Sequence, residues 1–464
     1  MTSSRFLAIA AVVAAISLTA APTSAATAAD ADDPVQAYVE RWREANGVPG
    51  AAVAVIDDDE VRTYVSGTDG AGRPVSRTTP FLVGSVAKTF TSALVLGLVE
   101  DGRIRLDDPV DRYLDGPATP RATVRQLLTH TAGYTAGDGL AVSERFDNEP
   151  GALRRAAEDL ERSGVPGEYA YTSADYLVLG ALIEEVTGRS FAAVAEESLF
   201  EPAGMTATAA DARGAESLPP GHRHWWAWTR AYDPGFDESG ASYGYVVSTA
   251  EDLATYARAL LAGEVLPRTL EDEAWSIQEV TGQDRGYGFG WSIDGGDERR
   301  RIHHTGATPG YFAHVSLLPD DDRAVVVLAN AYAEKRAPSL AAAAADIDEV
   351  ARGGSANVAA GDPLLTWAPW VLAVLIPAGL GLALLARRAP ASTRSRWACA
   401  VVAGAAAVGL ALLPSLMGVS LDFAITWVPD MAIGVVAGSV SLGLLALSCA
   451  LPPAVPHRRP VKAR

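Results

Sequence analysis

The spacing of apolar residues changes along this chain, and its first part predicts a helix followed by a hairpin. Residues 34 to 46 place apolar side chains at helical intervals and stop at Gly47, a residue typical of helix ends. Two runs with β-branched residues follow at 51 to 56 and 61 to 66, separated by three consecutive aspartates. Such runs on either side of a short polar turn are typical of a β-hairpin.

From residue 85 to about 278 the pattern is mostly helical, and Thr123-x-x-Gln126 and Ser248-x-x-Glu251 have the form of capping boxes. Strand patterns then return, before an alanine-rich helix predicted at 339 to 352. The four later strands are predicted at 287 to 293, 300 to 305, 312 to 318 and 323 to 329. Because strands lie near both ends and helices between them, we predict an α+β fold: an antiparallel sheet flanked by N- and C-terminal helices, with an inserted helical lobe.

Three long apolar stretches follow this body, at 364 to 386, 397 to 417 and 431 to 451. Each is long enough to cross a bilayer as a helix, and none contains a charge. Four arginines lie between the first two stretches and a basic tail follows the third, and such residues favour the cytoplasmic side. We predict three transmembrane helices with the body outside the cytoplasm. Since no ionisable residue lies within a span, these helices serve mainly as an anchor.

The N-terminus independently predicts export of the body. Arg5 precedes an apolar run from 6 to 21, and small residues suited to signal-peptidase cleavage follow. A transmembrane anchor is the alternative, although the run is short for one. The predicted organisation, in a multi-pass protein of the cell membrane, is a signal peptide at 1 to 29, a body at 30 to 352, a linker at 353 to 363, membrane helices at 364 to 451 and a cytoplasmic tail at 452 to 464.

Charge and cysteine content exclude two classes for the body. The chain of 464 residues has a net charge of −18, and residues 30 to 362 alone carry −25, because the flanking segments are basic. So acidic a body is a poor nucleic-acid binder, and we expect no nucleic-acid partner. The two cysteines, Cys399 and Cys449, both lie in the apolar stretches, which leaves the body without a disulfide framework.

The candidate chemistry centres on the stretch GSVAKTF. Lys88 is the only lysine among the first 334 residues, and Ser85 lies three positions before it, on the same face of a predicted helix. Unlike a guanidinium, a lysine amine can lose its proton when it is buried, and it can then activate a serine hydroxyl. The alternative is that Ser85 only caps the helix and that Lys88 is a surface charge.

Three further segments have a fixed order after this pair: LLTHTAGY around His130, YTSADYLVLG beginning at Tyr171, and HTGATPG beginning at His304. Together with S-x-x-K they closely resemble the serine β-lactamase and penicillin-binding-protein superfamily, in its class C-like branch of β-lactamases, D-amino-acid peptidases and esterases. The resemblance covers about residues 34 to 350 and does not explain the apolar stretches. It implies an enzyme that needs no cofactor or metal and acts on a small-molecule, peptide or ester substrate.

Carried over by motif, the resemblance implies that Ser85 is the acylated nucleophile and Lys88 its activating base. Tyr171 would transfer protons to the leaving group and help to activate water. The backbone amides of Ser85 and Ala307 would form the oxyanion hole, and Thr305 would take the place of the threonine in the family's third motif.

Two substrate-binding positions depart from the lactamase pattern. Ser173 stands where the Tyr-x-Asn motif has asparagine, so an amide that would hold a substrate's acylamino group is missing. His304 stands where lysine is usual, and an unperturbed histidine is mostly neutral at pH 7. We expect His304 to face the cleft and to attract a substrate carboxylate only as it gains charge between about pH 7.5 and 6. The alternative is that His303 faces the cleft, because adjacent strand residues point to opposite faces and the register could differ by one. Both changes argue against efficient β-lactam hydrolysis.

Two alternatives accompany these predictions. The segment His222 to Trp228 holds two histidines and three tryptophans, but without a third ligand nearby a packed loop is favoured over a metal site. The leading function is a membrane-anchored serine hydrolase that cleaves amide, peptide or ester bonds. The alternative is a non-hydrolytic receptor for cell-wall fragments or β-lactams that signals through the membrane helices. Neither the natural substrate nor the oligomeric state follows from the sequence.

Overall fold

The structure of the protein, a computed structural model, describes residues 33–114, 121–295, 300–388, 392–416 and 419–452. The predicted signal peptide at 1 to 29 and the basic end of the predicted cytoplasmic tail, from residue 453, lie outside the described residues.

Strands within the described ranges form three sheets, of which the largest has eight strands. In chain order the strands are β1 (Gly50–Asp57), β2 (Glu60–Gly67), β3 (Phe81–Leu82), β4 (Gly221–Trp225), β5 (Trp228–Tyr232), β6 (Val247–Ser248), β7 (Glu279–Gly282), β8 (Arg285–Tyr287), β9 (Ser292–Asp294), β10 (Arg301–Thr308), β11 (Tyr311–Leu318), β12 (Arg323–Ala329) and β13 (Ala331–Tyr332).

Helices precede, interrupt and follow these strands. In chain order the α-helices of the described residues are α1 (Pro34–Asn46), α2 (Ala87–Glu100), α3 (Val124–Leu128), α4 (Ala136–Ala141), α5 (Ala152–Glu158), α6 (Ser173–Thr187), α7 (Phe191–Ala195), α8 (Ala250–Ala262), α9 (Arg268–Ala274), α10 (Ala337–Ala351), α11 (Pro363–Ala386), α12 (Thr393–Leu416), α13 (Leu421–Trp427) and α14 (Pro429–Ala450).

The large sheet confirms the predicted α+β fold. Its order is β2-β1-β12-β11-β10-β9-β8-β7, and every neighbouring pair is antiparallel. The N-terminal hairpin therefore pairs with the C-terminal strands, with Val53 opposite Val327, and the helical lobe is inserted between them. This closure places residues near both ends of the body at the centre of one sheet.

Helices α1 and α10 cover one face of the sheet. Helix α1 begins at an Asp33 cap, ends at Gly47 and buries Val35, Tyr38 and Trp42 at intervals of three and four residues. These side chains join the β-branched residues of β1 and β12 in one core, and each fully buried large side chain contributes roughly 1.5–3 kcal/mol. The lobe covers the other face, with α2 buried along almost its whole length.

Three details differ from the sequence predictions. Residues 221 to 232, in a region predicted to be mostly helical, form the hairpin β4–β5. Pairing of β4 with β13 adds a third strand to this small sheet. The strand predicted at 287 to 293 is interrupted, because Gly290 has φ +79° and leaves the extended conformation. The cap of α8 is Thr249, which accepts from the Asp252 amide, one residue later than predicted. The Thr123 capping box is confirmed.

The C-terminal region contains three helices that are long and apolar enough to cross a membrane: α11, α12 and α14, with mean hydropathies of 2.1, 2.1 and 2.0. Helix α14 packs against both of the others. A side chain at Gly434 would collide with Leu372 of α11, and one at Gly438 would collide with Leu410 of α12, so the two glycines permit close helix contacts. The short helix α13 joins α12 to α14 and contacts the body.

Candidate active site

Ser85 lies in a short 3-10 turn, Gly84–Val86, that leads directly into α2. One turn later Lys88 is completely buried, and its Nζ lies 3.1 Å from Ser85 Oγ. The same Nζ lies 3.3 Å from Ser173 Oγ and donates to the carbonyl oxygen of Tyr243 at 3.0 Å. Lys88 is therefore not a surface charge, and its amine is positioned on the serine hydroxyl.

Burial lowers the pKa of Lys88 from 10.5 to about 7, because removal from water disfavours the ammonium form. The carboxylate of Asp175 opposes this shift and raises the pKa, but by less than burial lowers it. Three aromatic rings, of Tyr171, Tyr176 and Tyr243, surround the nitrogen at 5.2 to 5.8 Å. The amine can thus be neutral near pH 7, as acceptance of a proton from serine requires.

Tyr171 lies in the extended segment just before α6 and faces the same centre. It lines the same cleft as Ser85, and its ring lies 4.6 Å from that of His130. The residue is 38% exposed, yet the surrounding protein desolvates its hydroxyl, and this desolvation raises its pKa above the ordinary 10. The Ser85 hydroxyl lowers the same pKa, but by less than desolvation raises it. At neutral pH Tyr171 therefore carries a proton that it can donate.

A buried pair, His130 and Asp175, lies behind Lys88. Nδ1 of His130 is 2.9 Å from Oδ2 of Asp175, and both side chains are at most 1% exposed. Burial lowers the pKa of His130 and raises that of Asp175. Both residues lie within the sequence motifs named above, but the motifs predicted no role for either. The sequence does contain a signal for Asp175, which is a charged residue in the first turn of a strongly apolar helix. A charged residue at such a position is seldom buried unless it has a partner.

Strand β10 approaches the Ser85 turn closely enough to bring two backbone amides together. A Cβ added at Gly306 would lie 1.9 Å from the carbonyl oxygen of Val83 and 2.9 Å from the amide nitrogen of Ser85. One added at Gly84, which has φ +53°, would lie 2.4 Å from the amide nitrogen of Ala307. Only glycine fits at either position. These two glycines permit the proximity of the Ser85 and Ala307 amides that an oxyanion hole requires.

His304 lies on the cleft side of β10, as predicted, whereas His303 points to the other side and contacts Asp294 at 3.2 Å. Nε2 of His304 lies 3.2 Å from the Tyr287 hydroxyl. Burial, assisted by the charge of Lys88, lowers the pKa of His304 to about 3. The expectation that His304 gains charge between pH 7.5 and 6 is therefore wrong, because it holds for a solvated imidazole and this imidazole is buried.

Thr305 borders the same cleft, but its hydroxyl is engaged across the strands. Its Oγ1 lies 2.9 Å from Nδ1 of His314, the residue opposite it in β11. Ser173 is the first residue of α6, whose cap is Thr172 rather than Ser173. The hydroxyl of Ser173 is thus free to face Lys88.

The predicted residues surround one cleft of about 470 Å³. A larger cavity, of about 630 Å³, has none of them in its lining. Aromatic and apolar side chains form much of the cleft wall, and two come from α13, which sequence reasoning assigned to the membrane region. The candidate residues lining the cleft are Ser85, Tyr171, Ser173, His304, Thr305 and Ala307, with Lys88 buried beneath Ser85.

The histidine- and tryptophan-rich segment lies outside this cleft. His222 and His224 belong to β4, and His222 Nδ1 lies 3.0 Å from the carbonyl oxygen of Asn330. Among the described residues, no three His, Cys, Asp or Glu side chains are grouped so that they could hold a metal ion. The segment is a β-hairpin that packs between the body and the C-terminal region.

Comparison with known proteins agrees with this geometry. A family model described as Beta-lactamase matches residues 32–349. Penicillin-binding protein 4 of Amycolatopsis lactamdurans is 30% identical over 321 residues, covering 64% of this chain and 84% of the relative. The Unguisins hydrolase ungD' of Aspergillus campestris is 28% identical over 64% of this chain, which spans only 60% of that relative. The crystal structure of a D-stereospecific amidohydrolase from Streptomyces sp. matches with a TM-score of 0.53 and 28% identity, covering 64% of this chain and 94% of that one.

Proposed function

The chain belongs to the Beta-lactamase family, within the serine β-lactamase and penicillin-binding-protein superfamily of hydrolases, and from this premise we propose that it cleaves ester, amide or peptide bonds through an acyl-enzyme on Ser85. The observation that carries the proposal is the buried Lys88 amine, 3.1 Å from Ser85 Oγ and with a pKa of about 7. A structural lysine would be paired with a carboxylate or reach water, whereas this one contacts two hydroxyls and a carbonyl.

In the acylation step, neutral Lys88 accepts the Ser85 proton while Oγ attacks the substrate carbonyl carbon. Negative charge develops on the carbonyl oxygen, beside the amides of Ser85 and Ala307. Tyr171 donates its proton to the leaving group as the scissile bond breaks, and the proton held by Lys88 restores the tyrosine. In deacylation, water replaces the leaving group: as it attacks the acyl carbon, its proton passes through Tyr171 to the neutral Lys88 amine, and Lys88 returns a proton to Ser85 Oγ as the acyl bond breaks.

The cleft favours neutral substrates. His304 has a pKa of about 3 and is uncharged near pH 7, and Ser173 offers a hydroxyl in place of an amide. The cleft side of β10 therefore presents no permanent cation for a substrate carboxylate. Neutral esters and amides with apolar substituents match this lining better than anionic β-lactams do.

We also propose that α11, α12 and α14 cross the cell membrane with the body outside the cytoplasm. The contact of α13 with the body supports this proposal, because it keeps the α12–α14 connection beside the body. At the opposite ends of these helices, Arg387 and Arg396 donate to the carbonyl oxygens of Pro452 and Ser448. A cationic cluster at that end fits the cytoplasmic side. On intact cells, added protease should digest the body and spare an epitope after Arg464; the reverse pattern contradicts this orientation.

The hydrolase and the receptor differ in turnover. Full-length protein in detergent should release many equivalents of thiol from a neutral thioester, and Ser85→Ala should release none above the uncatalysed rate. A single stoichiometric burst without turnover would favour the receptor. Equal rates of thiol release for Ser85→Ala and wild type would show that Ser85 is not acylated, either in turnover or in a single burst.

A further inference from the structure

The C-terminal region does more than hold the body at a membrane, because α13 forms part of the catalytic cleft. Phe423 and Trp427, both half-buried, line the same cleft as Ser85 and Tyr171 although they lie more than 250 positions later in the sequence. Their rings stack on each other at 5.4 Å, and Tyr332 of the body meets Trp427 edge-on at 5.9 Å. An aromatic wall thus faces the reacting centre.

Several specific contacts fix this wall in place. Nε1 of Trp427 donates to Oε1 of Glu144 at 2.6 Å, a residue that also lines the cleft. Behind the wall, the Arg223 guanidinium donates to two successive carbonyl oxygens of α13 at 3.3 and 3.1 Å. These hydrogen bonds hold both a side chain and the backbone of α13, and so they define the position of the helix. A loop that only rested on the surface would lack such contacts.

A buried ion pair secures the connection from α13 to α14. Lys335 Nζ lies 3.3 Å from Asp430 Oδ2, and the two residues are 8% and 5% exposed. The backbone amide of Trp226 donates to the same carboxylate oxygen at 3.1 Å. Because a buried charge that loses its partner is costly, this pairing opposes separation of α13 from the body.

We propose that Phe423 and Trp427 form a substrate-binding wall that recognises a bulky apolar group, preferentially an aromatic ring, next to the scissile bond. The proposal rests on the proposed hydrolase function and adds the substrate class. Aromatic rings pair favourably in offset and edge-on arrangements such as those already present in this wall. The specificity of the body thus depends on a helix that lies between two candidate membrane spans.

Three thioesters test whether the wall recognises an aromatic ring, because one of them has no ring and serves as the reference. S-Methyl thioacetate has no bulky group, S-benzyl thioacetate has a ring on the leaving-group side, and S-methyl 3-phenylthiopropionate has one on the acyl side. For full-length Trp427→Ala in detergent, the kcat/KM ratio of at least one ring-bearing thioester to S-methyl thioacetate should fall about tenfold, as expected when an apolar pocket loses a wall. Phe423→Ala, which removes no side-chain hydrogen bond, should lower the same ratio.

Ile425 provides the matched control. It lies on the same helix, its side chain is 46% exposed, and it is not among the residues that line the cleft. Ile425→Ala should leave the ratio within about twofold of wild type, the scatter expected for a surface change. An unchanged ratio in both Trp427→Ala and Phe423→Ala, or an equal fall in Ile425→Ala, overturns the proposal.

A binding measurement separates this proposal from the hydrolase mechanism. In Ser85→Ala protein, which cannot form an acyl-enzyme, equilibrium binding of the preferred ring-bearing thioester should weaken about tenfold when Trp427→Ala is added. Unchanged binding overturns the proposed role of Trp427 even if hydrolysis is confirmed. Weakened binding supports that role even if no hydrolysis is found.

The apolar group could arrive from solution or from the bilayer, and vesicles distinguish the two sources. With the protein in phosphatidylcholine vesicles, S-dodecyl thioacetate supplies an apolar chain from the membrane, whereas S-benzyl thioacetate supplies a ring largely from water. Dependence on Trp427 for the dodecyl compound would identify the bilayer as a source, and dependence for the benzyl compound alone would identify a soluble substrate.

Discussion

The dependence of rate on pH tests the role of Lys88, and the structure fixes both its direction and its size. With a pKa of about 7, Lys88 is neutral in half of the molecules at pH 7. At the ordinary value of 10.5, about one molecule in 3000 would have a neutral amine at that pH. Burial therefore increases the population of the base by a factor of ~10³, for a differential cost of roughly 5 kcal/mol between the charged and neutral forms.

The assay is kcat/KM for a neutral thioester between pH 5.5 and 9, corrected for uncatalysed hydrolysis. Because the neutral amine is the active form, kcat/KM should rise with pH, with a midpoint near 7 and a plateau above about 8. Lys88→Arg keeps the charge but cannot release a proton, so it should lose at least ~100-fold at the plateau and show no such rise.

His304 supplies the control for this assignment. Its pKa of about 3 lies below the tested range, so His304→Asn should leave the midpoint near 7. A midpoint that disappears with His304→Asn would assign the titration to the histidine. A rate that keeps rising to pH 9 without a plateau, or a Lys88→Arg variant with more than about a tenth of the wild-type rate, would refute the reasoning.

Three further predictions concern groups around the base. Tyr171→Phe, which removes the proton donor, should lower kcat by about 100-fold or more with little change in KM; a large KM effect alone would indicate a binding role. Gly306→Ala, whose methyl group would lie 1.9 Å from a carbonyl oxygen, should displace the amides and cost about 100-fold, while Gly97→Ala, in open space on α2, should cost less than about twofold; circular dichroism would verify that both variants fold. Asp175→Asn removes a charge that raises the pKa of Lys88, so the midpoint of the pH profile should move below that of wild type, and an unchanged midpoint would contradict the coupling.

Local sequence patterns predicted much of the fold because they act over a few residues. The helix predicted at 34 to 46 has the same bounds as α1, since its apolar spacing, its start at Pro34 and its stop at Gly47 all lie within one segment. The β4–β5 hairpin escaped prediction because its strands are short and depend on β13, a distant partner. The break near Gly290 escaped because a single backbone angle, and not periodicity, interrupts the strand.

The features of the site also separate into those that local sequence predicts and those that depend on distant residues. The proximity of Ser85 and Lys88 follows from positions three residues apart on one helical face. The carbonyl oxygen of Tyr243 could not be predicted, because any residue has a carbonyl. The pKa of His304 required its burial to be known, and the contact of Trp427 with Glu144 joins residues 283 positions apart. Long-range contacts of this kind leave no spacing signal in the sequence.

Direct detection of the acyl-enzyme tests the central claim. Full-length protein is quenched in acid during turnover of a neutral ester, digested and analysed by mass spectrometry, with Ser85→Ala treated in parallel. We predict the added mass of the acyl group on the peptide that contains Ser85, and no modified peptide in Ser85→Ala. Acylation of a different residue, or an acyl group that persists in Ser85→Ala, would contradict the claim that Ser85 is the nucleophile.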